Sequence, residues 1–117
     1  MKNFKQLKIW QTGMQLVSKV YDLAKQLPKE EKYGLISQMT RSAVSIPSNI
    51  AERSSRRSER DYYRFIEIAH GSSFELETQL LIAKEVFPDG SKLAEEALEL
   101  LTEEQKMLTS FLKKLNN

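Results

Sequence analysis

The feature that most constrains this chain is the spacing of its apolar residues, which recur in steps of three and four along nearly its whole length. Such steps follow the 3.6-residue period of an α-helix, not the two-residue period of a strand. The first stripe reads Leu7, Trp10, Met14, Val17, Tyr21, Ala24, and the second Ile36, Met39, Ala43, Ile46, Ile50. The third and longest reads Tyr62, Ile66, Ala69, Ser73, Leu76, Leu80, Ala83 and extends toward Phe87. The fourth reads Ala94, Leu98, Leu101, Gln105, Leu108, Leu112, Leu115, with Ala97 and Phe111 beside it. Only four glycines and three prolines interrupt 117 residues, which argues against disorder and against an all-β chain.

The boundaries between stripes carry helix punctuation. Asn3 is placed to cap the first helix, with Gln6 reaching back as in a capping box. Pro28 ends that helix and falls in the first turn of the next, where Glu30 and Glu31 suit the positive end of the helix dipole. Ser58, three residues before Asp61, caps the third helix, and Phe87-Pro88-Asp89-Gly90-Ser91 is a turn before the fourth, with Asp89 or Ser91 as its cap.

Four stripes joined by short connections predict an all-α protein: an antiparallel, up-down-up-down four-helix bundle forming a single domain over residues 1–117. Pro47 falls inside the second stripe, where its missing N–H and its ring predict a kink, with Ser45, Ser48 and Asn49 available to satisfy freed backbone groups. Gly71 sits inside the third helix at a cost of about 1 kcal/mol against Ala. With Ser72 and Ser73 beside it, close approach of another backbone is expected there, such as the bend at Pro47. Tyr33, Leu35, Phe65, Ile68, Phe74, Leu81 and Ile82 lie off the main stripes. That surplus of apolar surface predicts a homo-oligomer.

Charge is sorted along the chain. The net +2 hides five Lys against one Asp over residues 1–27, eight basic against five acidic groups over 28–64, and five basic against ten acidic groups over 65–117. All six arginines, Arg41, Arg53, Arg56, Arg57, Arg60 and Arg64, lie in the middle segment. Guanidinium forks bind phosphate and carboxylate bidentately, so an Arg-only cluster reads as a recognition surface. Pairing with Glu52, Glu59 and Asp61 at a solvated helix junction accounts for it equally well.

Chemistry is scarce. The chain has no cysteine and one histidine, His70, which excludes thiolate metal sites, cysteine nucleophiles and paired-histidine centres. Glu67 and His70 supply one Glu-x-x-His spacing with no second, and Glu75 and Glu77 point to different helix faces. No glycine-rich phosphate loop is present. An enzyme is not expected, and neither a cofactor nor a metal is. No apolar run approaches 18 residues and no secretory leader is visible, so a cytoplasmic protein without a membrane partner is expected.

Two stretches carry a resemblance. Ser45-Ile46-Pro47-Ser48-Asn49-Ile50-Ala51-Glu52, followed by Ile68-Ala69-His70-Gly71-Ser72-Ser73-Phe74-Glu75-Leu76-Glu77-Thr78-Gln79-Leu80, resembles the signature of the 23S rRNA intervening-sequence proteins. Leu7-Lys8-Ile9-Trp10-Gln11 and Tyr33-Gly34-Leu35-Ile36-Ser37-Gln38-Met39 are similar to that family's pattern as well. The resemblance implies a four-helix bundle, a homopentamer, and a structural role for Ser45, Pro47, Asn49, Glu52, Gly71, Glu75 and Glu77. It brings no established activity. A related branch, the accessory proteins of diversity-generating retroelements, is similar to a basic pentameric barrel that binds nucleic acid and a reverse transcriptase. One departure is visible: Arg53 stands where the family commonly has the Gly that ends the second helix.

The function expected from these features is non-enzymatic binding of structured RNA by an oligomer. Arg53, Arg56, Arg57, Arg60 and Arg64 would meet phosphates, and Tyr62 and Tyr63 stand beside them. The alternative is a protein–protein scaffold or accessory subunit whose basic patch meets acidic protein surfaces.

Overall fold

The helical spacing is realised in four long helices. The computed structural model describes residues 3–31, 33–54 and 58–116, and holds α1 (Lys8–Gln26), α2 (Leu35–Arg53), α3 (Glu59–Val86) and α4 (Ser91–Asn116). Single 3-10 turns cover Phe4–Gln6, Lys29–Glu31 and Pro88–Gly90. Among the described residues there is no strand. The protein is an all-α four-helix bundle: α1 and α3 each pack chiefly on α2 and α4. At 1.5 Å per residue, the 28 residues of α3 reach about 42 Å, which matches the 44 Å long axis of the molecule.

The core is aliphatic. Leu16, Val20 and Leu23 of α1 meet Met39, Ile46 and Ile50 of α2, Ile66, Leu76 and Leu80 of α3, and Leu101 and Leu108 of α4, all essentially without solvent contact. Each side chain of this size contributes about 1.5–3 kcal/mol by leaving water. Small residues, Ala43, Ala69, Ala83, Ala94 and Ala97, fill the spaces between them and let the helices approach.

The second and third stripes are buried as their spacing predicts, apart from half-exposed ends such as Ile36 and Tyr62. The other two are displaced. On α1 the buried line is Ile9, Thr12, Gly13, Leu16, Val20 and Leu23, while Met14 and Tyr21 stay 45% and 46% exposed. The helix carries two adjacent apolar lines, and the one that reaches the core contains a threonine and a glycine, small enough for close packing. On α4 the buried line runs Ala94, Ala97, Leu101, Glu104, Leu108, so Glu104, not Gln105, occupies the core position.

The caps also differ in detail. Asn3 caps the turn at Phe4–Gln6, its side chain accepting from the Lys5 amide, and α1 starts only at Lys8. Pro28 precedes the turn at Lys29–Glu31 and does not enter α2, which begins at Leu35. Ser58 caps α3 as expected, accepting from the Asp61 amide at 3.2 Å. At Arg53, where the family commonly has Gly, Ser54 ends α2 instead: its hydroxyl donates to the Ala51 carbonyl at 2.6 Å.

Pro47 lies buried within α2, which runs unbroken from Leu35 to Arg53. Asn49 donates to the Ser45 carbonyl at 2.7 Å, and the Ser45 and Ser72 hydroxyls bond across to α3 at 2.8 Å. The close approach expected at Gly71 is absent within the chain, because a Cβ there would meet nothing within 4 Å. It occurs at Gly13, where a Cβ would stand 3.4 Å from the Pro47 Cβ.

Candidate nucleic-acid interface

The start of α1, the end of α2, the start of α3 and the end of α4 meet at one end of the bundle. Lys8, Arg53, Lys106 and Lys114 line a common cleft there, and the Arg53 guanidinium lies over the Tyr62 ring at 5.6 Å. Arg60 and Arg64 are exposed on the first turns of α3. α4 brings no acid to this end, since residues 105–117 hold Lys106, Lys113 and Lys114 and no Asp or Glu, whereas Glu52 of α2 and Asp61 of α3 are exposed there. The glutamates of α4 cluster earlier, where Glu96, Glu99 and Glu103 share a groove with Asp22 and Lys19 of α1, and Lys19 pairs with Glu96 at 3.2 Å.

The six arginines are not one patch. Arg41 lies twelve residues before Arg53, about 18 Å along the helix, in a polar groove with Gln38 and Glu75. Arg53 turns inward. Its guanidinium sits 4.5 Å from the Phe111 ring, its Nε is buried without a hydrogen-bond partner, and burial lowers it from its ordinary value while Tyr62 acts in the other direction. Arg56 and Arg57 lie outside the described residues. Arg60 and Arg64 are therefore the cluster members displayed to solvent among the described residues, and Lys8, Lys106, Lys113 and Lys114 join them from α1 and α4. Charge density along the sequence identifies the α2–α3 side of this end but not its lysines, which lie 45 to 61 residues from Arg53.

The signature residues differ in their surroundings. Ser45 and Asn49 form the network beside Pro47, and Glu77 accepts from Gln105 Nε2 at 3.0 Å. Glu52 and Glu75 are exposed. His70 rests edge-on against Phe74 at 4.8 Å, with its Nε2 3.3 Å from the Thr109 hydroxyl. Among the described residues no three His, Asp or Glu side chains converge as a metal site requires, and no helix is long and apolar enough to cross a membrane.

The apolar spacing does not reveal Glu104. Its side chain has no solvent contact, and neither carboxyl oxygen has a hydrogen-bond partner. A Cβ on Gly13 would stand 2.9 Å from its Oε2, so the carboxyl fills the space that Gly13 leaves open beside Pro47. Burial alone pushes its pKa up to about 8 from 4.5. The signal that finds it is the step pattern 94-97-101-104-108, once a carboxylate is admitted at a core position.

Solved structures and family patterns agree with this architecture. A protein of unknown function from the S23 ribosomal protein family of Bacteroides thetaiotaomicron superposes with a TM-score of 0.81 at 25% identity, over 90% of this chain and 98% of its own. The curated proteins offer no match. The model of the 23S rRNA-intervening sequence protein family matches residues 5–110, and the chain belongs to that family.

Proposed function

We propose that the protein is a non-enzymatic, homo-oligomeric bundle that binds structured RNA through the basic end. The observation that carries this reading is the placement of charge: α3 displays Arg60 and Arg64, and α1 and α4 place Lys8, Lys106, Lys113 and Lys114 at the same end of the bundle, while the α4 glutamates stay farther up. An excess of positive charge at one end, over the acids Glu52, Glu59 and Asp61 that share it, attracts a polyanion and survives near-neutral net charge.

Oligomerisation has its own support. α3 turns Ile68, Phe74, Leu81, Ile82 and Val86 outward, each 42–61% exposed. Between α1 and α2, Trp10, Met14 and Val17 of α1 and Val44 and Pro47 of α2 line an apolar groove of about 330 Å³. A ridge and a groove on different faces join copies head to tail, which closes into a ring when the rotation permits, and a pentamer is the family expectation. A ring repeats one modest basic end several-fold and raises avidity without new contacts.

Binding of a structured RNA across a salt series tests the reading. Wild type should lose affinity steeply with salt, and Arg60→Ala/Arg64→Ala should show a shallower slope by about two phosphate contacts. Failure to bind at low salt, or an unchanged slope, overturns it. Light scattering after size exclusion tests the ring: Phe74→Asp/Leu81→Asp should yield a smaller species than wild type.

A further inference from the structure

The cleft at the basic end has walls that a polyanion does not require. It measures about 480 Å³, and Leu7, Ile9, Met107 and Phe111 give it an apolar floor. Lys8, Arg53, Lys106 and Lys114 stand around that floor, and none of the described residues lining it is acidic. Among the described residues, none of the three lysines takes part in an ion pair. Cations usually occur beside carboxylates, so four of them around one apolar hollow leave a positive field unanswered inside the chain.

Two further details set the chemistry. Arg53 lines the cleft and is held by Phe111 and Tyr62, so a fixed charge forms one wall. Leu7 precedes α1 without a side-chain cap and the first turn holds no acid, leaving the positive end of that helix uncompensated beside the cleft.

The geometry points to a binding site for a small organic anion, with an aliphatic body seated on Leu7, Met107 and Phe111 and a carboxylate or phosphate head met by the lysines and Arg53. Apolar contact supplies affinity, and the cationic rim selects the anionic end, as in sites that combine a largely apolar pocket with a few convergent polar groups. This site shares Lys8, Lys106 and Lys114 with the proposed RNA-binding end, but it does not rest on RNA binding. A polyanion needs only the charges, whereas the cleft needs its floor.

Methionine methyl NMR on the full chain reads the cleft directly. Met107 lines it, Met39 is in the core, and Met14 is on the outer face of α1. Octanoate and octyl phosphate are the two anionic probes, with octanol, inorganic phosphate and adenosine monophosphate as comparisons. Saturable movement of the Met107 methyl with octanoate or octyl phosphate, while Met39 and Met14 stay in place, is expected. Whichever of the two binds more tightly identifies the head group. Lys106→Ala/Lys114→Ala should weaken that binding about tenfold or more, the loss of at least one charge-assisted contact, with the Met39 methyl unmoved as proof of an intact core. The proposal is overturned by an immobile Met107, by octanol binding as well as octanoate, or by inorganic phosphate or adenosine monophosphate binding more tightly than either aliphatic anion. Equal movement of all the methyls, or unchanged affinity in the double lysine variant, overturns it too.

Discussion

Glu104, midway along the bundle, and Arg53, at its basic end, are both ionisable side chains with buried polar atoms that lack hydrogen-bond partners. They answer the same desolvation penalty in opposite ways. A carboxyl can take up a proton, and Glu104, enclosed by Gly13 and Pro47, is pushed to about 8. A guanidinium keeps its proton under any ordinary condition, so Arg53 is lowered yet stays charged, and the π faces of Phe111 and Tyr62 replace part of its lost water. The middle of the molecule therefore carries a charge that can be neutralised, and the end carries one that cannot.

The widest separation between the two regions is in pH. Folded Glu104 titrates near 8 and its unfolded counterpart near 4.5, so the native chain holds the proton more tightly. The stability associated with that proton is complete below pH 4.5 and is lost as pH rises toward 8, a change on the order of 4 kcal/mol. Urea unfolding from pH 4.5 to 8.5 should show this decline, and Glu104→Gln should flatten it and be more stable than wild type at pH 8. A decline that persists in Glu104→Gln places its origin elsewhere.

Gly13→Ala probes the same layer by crowding. A methyl there meets Glu104 Oε2 at 2.9 Å, and the carboxyl is too enclosed to swing clear. A loss of about 1–3 kcal/mol is expected, typical of overpacking. In a Glu104→Ala background the same change should cost little or become favourable, because Ala exceeds Gly in helix propensity by about 1 kcal/mol. Thermal or urea unfolding of the four chains measures the coupling, and additive effects would show that Gly13 and Glu104 do not share the space.

Sequence periodicity located all four helices, and on α2 and α3 it also found the buried face, since there the apolar line is a single one. On α1 two apolar lines lie side by side, and aromatic bulk favours the line of Trp10, Met14 and Tyr21, whereas the core takes the line with room for close packing at Thr12 and Gly13. On α4 a binary pattern assigns a carboxylate to solvent, so Gln105 stood in for Glu104. The site was legible only as far as composition reaches. Clustered arginines mark the α2–α3 junction, but the residue that turns Arg53 inward is Phe111, 58 positions away, and a contact of that range leaves no local trace. Lys8, Lys106 and Lys114 reach the same cleft only through the fold.

Arg53 gives the smallest and most diagnostic change. Removing its stem and guanidinium in Arg53→Ala uncovers Phe111 and Tyr62 and should cost about 1–2 kcal/mol, the sum of a partly desolvated cation–π contact and lost packing. Because the guanidinium does not titrate, that cost should be the same at pH 5 and pH 8, unlike any change at Glu104. Arg53→Lys keeps the charge but loses the planar face that stacks on Phe111, so it should recover less than half of the loss. Full recovery by lysine would mean that charge alone matters at this position. A cost that varies with pH would mean that the basic end is coupled to the carboxyl in the core, and that the two regions do not respond to burial separately.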